Sequence, residues 1–261
     1  MYEKKNYFEK LSELILSIGG NIEDDIFVTK PGCVILNKNS ITQSGQKIYQ
    51  QFNIDQLRPE YEQIAEFKSR ITYLAFKDTL SNSKEYNEKM AKEYQHLSVH
   101  AATQVELLIA GISLETALEL IAHSEAKVGR LTSSKTKAMN KTLYRVQGTE
   151  AEKAYQKNFI VKFLKLKETC EGALNPRELS KAGDEFTNIL NLGSKVTVLT
   201  YSMSLKDFHK LFIGRLSSHG NETEVQEICS IMCEQLHRDY PLVIRSVEEY
   251  YALNNGEKYK I

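Results

Sequence analysis

The 261-residue sequence predicts a helix-rich α+β domain with a small antiparallel sheet. Apolar residues recur at three- and four-residue spacing through most of the chain, the period of an amphipathic helix. A few short segments, residues 26–29, 33–36, 103–109 and 196–201, are instead rich in β-branched side chains or alternate, and they fall between the helical stretches.

Taken in order, residues 6–18 place Phe8, Leu11, Leu14, Ile15 and Ile18 on one helical face, and Gly19-Gly20 supplies the positive-φ stop. Residues 26–29 and 33–36 flank Lys30-Pro31-Gly32, where proline presets a turn and glycine relaxes it, so they are read as a hairpin. Beyond a polar stretch, helical patterning returns at 61–76 and 84–96, and 103–109 reads as a strand. Ser113 is a helix entry with Glu115 at the positive end of the dipole, and Leu114, Ala117, Leu118 and Ile121 are expected to point inward. The pattern fails over 123–140, which reads as a polar, basic loop. A long helix at 150–171 ends near Gly172, and another starts after Asn175-Pro176. Residues 196–201 form a second strand. The remainder is helical, with Leu205, Phe208, Leu211 and Phe212 on one face and Val225, Ile228, Met232 and Leu236 on another. With no internal repeat or long linker, one compact domain (61–261) carrying an N-terminal elaboration (1–60) is expected.

Thirty-four basic residues balance thirty-four acidic ones, so no global field points to a nucleic acid polymer or an anionic membrane. No apolar run reaches the roughly 18 to 20 residues that span a bilayer, and residues 1–5 lead into an amphipathic segment rather than a signal-like stretch. A cytoplasmic protein is expected. Four cysteines without C-x-x-C spacing point to reduced thiols, and Cys229 and Cys233, four apart on an apolar face, to core positions.

The basic loop is the first place to look for chemistry. Thr132, Ser133, Ser134 and Thr136, interleaved with Arg130 and Lys135, can hydrogen-bond and neutralise a phosphate. The same composition also describes a solvated loop whose serines make local turns. His96 and His100 have the spacing of half a metal site, but no further ligand stands at a recognisable distance, and no metal is expected. Arg215 and His219 are also four apart at the edge of an apolar helix, followed by Asn221 and Glu224. An arginine in a cleft needs an anionic partner, either a side chain or a ligand phosphate.

The run from Ser204 through Lys206 to Arg215, and on through His219 and Asn221 to Glu224-Val225, resembles the C-terminal signature of the flavin-dependent thymidylate synthases (ThyX). Arg215 and His219 match it, and Asn221 stands for a glutamine. Glu224 requires a one-residue insertion, while Ser204 and Lys206 replace an asparagine and an arginine. Upstream, Arg70-Ile71-Thr72-Tyr73 is similar to the family's Ala-Arg-Val-Ser-Tyr segment, and His96-Leu97-Ser98 to its His-x-Ser element. The family's Arg-His-Arg triplet is here Ala122-His123-Ser124, retaining only His123.

The resemblance covers residues 65–250 and implies a homotetramer with shared sites, using FAD, NADPH and methylenetetrahydrofolate to methylate dUMP at C5. It implies a catalytic and nucleotide-clamping role for Arg215, phosphate contacts from Ser133, Ser134 and Lys135, and flavin contacts from His96, Ser98, His123, Ser204, Lys206, His219 and Asn221; Arg130, which stands roughly where the family has an acidic residue, joins the phosphate set through the basic character of its loop. Two readings follow: a nucleotide C5-methylating enzyme with a degenerate flavin site, or a non-catalytic protein of that fold that binds a nucleotide or serves in an assembly. The missing guanidinium forks separate them, because neither alanine nor serine replaces bidentate, permanently charged recognition of phosphate or a flavin edge.

Overall fold

Two apolar strands covered on both faces organise the computed structural model, which describes residues 7–38, 40–73, 79–93, 97–122, 125–130, 143–171, 196–217 and 224–253. In chain order the elements are α1 (Tyr7–Ser17), β1 (Asn21–Glu23), β2 (Phe27–Lys30), β3 (Gly32–Lys38), α2 (Gln43–Gln51), α3 (Glu60–Tyr73) and α4 (Thr79–Glu88). After a π-helical turn (Lys89–Glu93) and a 3-10 turn (Leu97–Ala102) come β4 (Gln104–Ser113), α5 (Leu114–Ala122), β5 (Lys127–Arg130) and β6 (Tyr144–Arg145). The chain continues with α6 (Glu150–Glu171), β7 (Val196–Ser204), α7 (Leu205–Leu216), α8 (Glu224–Asp239) and α9 (Val247–Tyr251). The class is α+β, as expected.

The central sheet has the order β3-β4-β7-β5 and is antiparallel throughout. Successive side chains of a strand point to opposite faces, and both faces here are buried, which explains why β4 is nearly uninterrupted in apolar residues. Leu107 and Ile109 of β4 meet Tyr201 and Met203 of β7 on one face, against Phe208 and Phe212 of α7 and Ile228 and Met232 of α8. Leu108 and Ala110 join Val196 and Val198 on the other face, under Leu11 and Ile15 of α1. A bulge between Ala110 and Ile112 resets the alternation, so Ile112 returns to the face of Leu107 and Ile109. Gly111 makes this possible at φ +89°, where a side chain would be strained and would also approach Val28 and Pro31.

Four expectations change. The segments around Lys30-Pro31-Gly32 are not a hairpin: β2 pairs with β1 and, in parallel, with β6, while β3 pairs with β4 in the central sheet. Gly32 passes so close to the end of α1 that an added Cβ would lie 2.7 Å from the Ile18 carbonyl, and this crossing turns the chain from one sheet to the other. The stretch 123–140 is not all loop, since Lys127–Arg130 pairs with β7 as an edge strand. The polar stretch after β3 contains α2, whose Tyr49 and Phe52 pack on Phe67 of α3.

Finally, α5 buries Thr116, Ala117 and Leu120, leaving Leu118 and Ile121 nearly half exposed. A carboxylate from α8 holds the Thr116 side of this helix inward. The helix expected after Pro176 lies outside the described residues. Among those described, no helix is long and apolar enough to cross a membrane.

Candidate functional site

Helix α5 separates two clefts, and Glu119 lines one while pairing with an arginine that lines the other. On one side it borders a cleft of about 970 Å³ whose floor is Arg145. On the other its carboxylate lies 2.9 Å from Nη1 of Arg215, which lines a cleft of about 510 Å³ with Ala122, Glu125, Asp207, Lys210 and Gly214.

The floor of the larger cleft is a closed polar network. Arg145, 1% exposed, donates from Nε to Glu224 at 2.9 Å, from Nη1 to the carbonyls of Val28 and Val146, and from Nη2 to Glu227. Glu224 also accepts from the Ser113 backbone N–H at 2.9 Å and from the Thr116 hydroxyl at 2.7 Å. One carboxylate therefore joins the entry of α5, β6 and the first turn of α8. Burial raises the Glu227 carboxyl above its ordinary range despite the opposing pull of Arg145. Sequence reading assigned no role to Arg145 or Glu227. The only signal was an arginine within the apolar run Leu143-Tyr144-Arg145-Val146, since an arginine buried in a strand must find partners.

The cleft around Arg215 is the one that the sequence singles out. Arg215 is in the last turn of α7 and about a quarter exposed. Among the described residues its guanidinium is engaged through Nη1 with Glu119. Ala122, the position that the resemblance assigns to an arginine of the triplet, lines the same cleft. Two positions 93 residues apart in sequence, 122 and 215, thus share one site. The charge of that site is mixed: Arg215 and Lys210 stand against Glu119, Glu125 and Asp207.

The other expected residues are elsewhere. Ser204 is 1% exposed and caps α7, accepting from the Asp207 backbone N–H at 3.2 Å with its hydroxyl 2.5 Å from the Asp207 carboxylate. Lys206 is half-buried in the first turn of the same helix, and Ser98 is exposed in the 3-10 turn. That turn packs on α7 near its beginning, where Leu205 N–H donates to the Thr103 carbonyl at 3.0 Å. The length of α7, roughly 16 Å at 1.5 Å per residue, separates Ser204 from Arg215. Arg130 is in β5 by its backbone; His96, His123, Ser133, Ser134, Lys135, His219 and Asn221 lie outside the described residues.

Arg70 of the upstream segment is structural. It is 1% exposed, donates to Glu66 at 2.7 Å and lies 4.1 Å from the Tyr86 ring centroid. Glu66 in turn accepts from Ser83 and Asn87, which fastens α3 to α4.

No protein-family model matches the chain, and no curated protein matches it. Solved structures do. A thymidylate synthase X from Helicobacter pylori with FAD and dUMP superposes with a TM-score of 0.55 at 14% identity, over 85% of this chain and 99% of that one. A second structure, of the flavin-dependent thymidylate synthase ThyX from Helicobacter pylori complexed with FAD and dUMP, gives 0.53 and 14%, over 82% and 97%. In fold, the chain is similar to the flavin-dependent thymidylate synthases.

Proposed function

We propose that this chain binds a pyrimidine nucleotide of the dUMP type through Arg215, on a ThyX-like scaffold that no longer turns over flavin. The observation that carries the reading is the pairing of Arg215 with Ala122 across one cleft. The anion-binding arginine is kept, while the position that the resemblance assigns to a second guanidinium holds a methyl group. A phosphate monoester displaces Glu119 from Arg215 and gains a bidentate partner. Arg130, Ser133, Ser134 and Lys135 are the proposed further phosphate contacts.

Two described positions argue against FAD: Ser204 spends its hydroxyl on the helix cap, and Ala122 offers no donor where the resemblance places an arginine.

The second reading, a methylating enzyme using FAD, NADPH and methylenetetrahydrofolate, is favoured by the placement of Ser98, Ser204 and Lys206 at one end of α7 and Arg215 at the other. A homotetramer sharing sites between subunits is the arrangement that unites them. His96, His123, His219 and Asn221 belong to its flavin set.

Calorimetry with dUMP, together with absorbance spectra after excess FAD is added and removed, separates the readings. Binding of dUMP that is lost in Arg215→Ala, with a colourless protein, supports the first. Retained flavin bands and dUMP-stimulated NADPH oxidation establish the second, and absence of dUMP binding removes both.

A further inference from the structure

A third cleft, of about 430 Å³, opens at the far end of α8 and has no part in either reading above. Its polar lining is Lys92, His209, His237 and Arg245, with Glu249 as the single acid. That acid is committed to the capping box of α9, where its carboxylate accepts from the Ser246 backbone N–H at 2.7 Å. The rest of the wall is apolar, formed by Ala91, Leu97, Leu242 and Val243 among others.

The local backbone is specialised. Lys92 and Ala91 enter the cleft from the π-helical turn Lys89–Glu93, a widened turn that is rare in proteins and recurs at functional sites. His237 is oriented by its neighbour: Nδ1 lies 2.7 Å from the Ile244 carbonyl and donates to it. His209 is held by the Tyr250 hydroxyl at 2.6 Å from its Nδ1. Behind it lies His100, 2% exposed, whose Nδ1 has no partner among the described residues. Two cations against one carboxylate that is engaged in a helix cap leave the cleft net positive, which selects an anion, and its apolar wall selects an organic body attached to that anion.

We infer that this cleft binds a small organic phosphate, with Lys92 and Arg245 neutralising the phosphoryl group and the Ala91–Leu97–Leu242 wall covering the rest. The test uses phenyl phosphate as the probe, titrated calorimetrically into the full chain and into Lys92→Glu and Arg245→Gln. Lys92 is exposed, so its replacement is expected to leave the fold intact, and circular dichroism of both variants is the check. Wild-type binding that weakens about tenfold or more in each variant and is unchanged in Arg215→Ala is the expected result. No binding by the wild type overturns the inference. So does binding that survives Lys92→Glu, or binding that disappears in Arg215→Ala, which places the phosphate in the Arg215 cleft instead.

Discussion

Arg145 and Glu224 face each other across 2.9 Å with side chains 1% and 2% exposed, and they tie a two-residue strand to the first turn of α8. Removing one member of such a pair strands the other charge in the interior, at a cost of about 3–5 kcal/mol. Arg145→Met and Glu224→Leu are each expected to lose stability on that scale in urea denaturation. The double variant should lose less than their sum, because the buried pair is removed as a whole and only the partly exposed Glu227 loses its partner. Additive losses would show that the two residues act independently.

Ser204 is expected to matter for stability and not for ligands. Its hydroxyl caps α7, and Ser204→Ala should cost about 1 kcal/mol while leaving dUMP affinity unchanged. Asp capping the same position should recover much of the loss only where its larger side chain fits, since the site is 1% exposed. A fall in dUMP affinity without a fall in stability would return Ser204 to the ligand set.

Stability should decline as the medium is acidified below neutrality. Burial lowers both His100 and His209 to about 4, and Arg245 and His100 add to the effect at His209. In the unfolded chain these groups titrate near 6.5, so between about 6.5 and about 4 the unfolded state binds protons that the native state does not. Unfolding is therefore favoured progressively as pH falls through this window, by about 1.4 kcal/mol per pH unit for each histidine. Below about 4 the native histidines protonate too and the slope levels off. Urea denaturation at a series of pH values, comparing wild type with His209→Gln, isolates the share of one ring. An unchanged slope in the variant would contradict the assignment.

Much of the fold was legible because its signal is local. The helix over 150–171, the end of α1 at Gly19 and the apolar faces of Phe208 and Ile228 each follow from spacing alone. What was missed depends on contacts distant in sequence. Nothing near Lys30-Pro31-Gly32 announces that β3 will pair with β4, some seventy residues on; the crossing is set by the close approach of Gly32 to Ile18. The face of α5 was misjudged because Thr116 looks polar, yet Glu224, 108 residues away, satisfies its hydroxyl in the interior. The site divides in the same way. Arg215 stood out by its spacing, and Ala122 gained meaning only when the fold brought it to the same cleft. Ser204 is ambiguous in the sequence because a helix cap and a ligand contact ask for the same hydroxyl.

Three cysteines should be silent to thiol reagents. Burial pushes the Cys33 and Cys233 thiols up to about 12 and Cys229 higher still, so almost no thiolate exists at neutral pH. In a Cys170→Ser background, native protein should react with a chromogenic disulfide only at the rate of unfolding. Three equivalents should appear at once in denaturant. Rapid native labelling would mean that the core around α8 opens readily.

The sharpest test of the Arg215 cleft is to gain function there rather than lose it. Ala122 is exposed and lines the same cleft, so Ala122→Arg restores a guanidinium at little structural cost. A second charge-assisted contact to phosphate is expected to tighten dUMP binding about tenfold. Glu119→Gln should act in the same direction and more weakly, by releasing Arg215 from its partly exposed ion pair. If the two arginines share one ligand, the gain from Ala122→Arg must shrink when Arg215 is replaced by alanine. An equal gain in both backgrounds, measured by calorimetry, would mean that residues 122 and 215 line one cleft without serving one nucleotide.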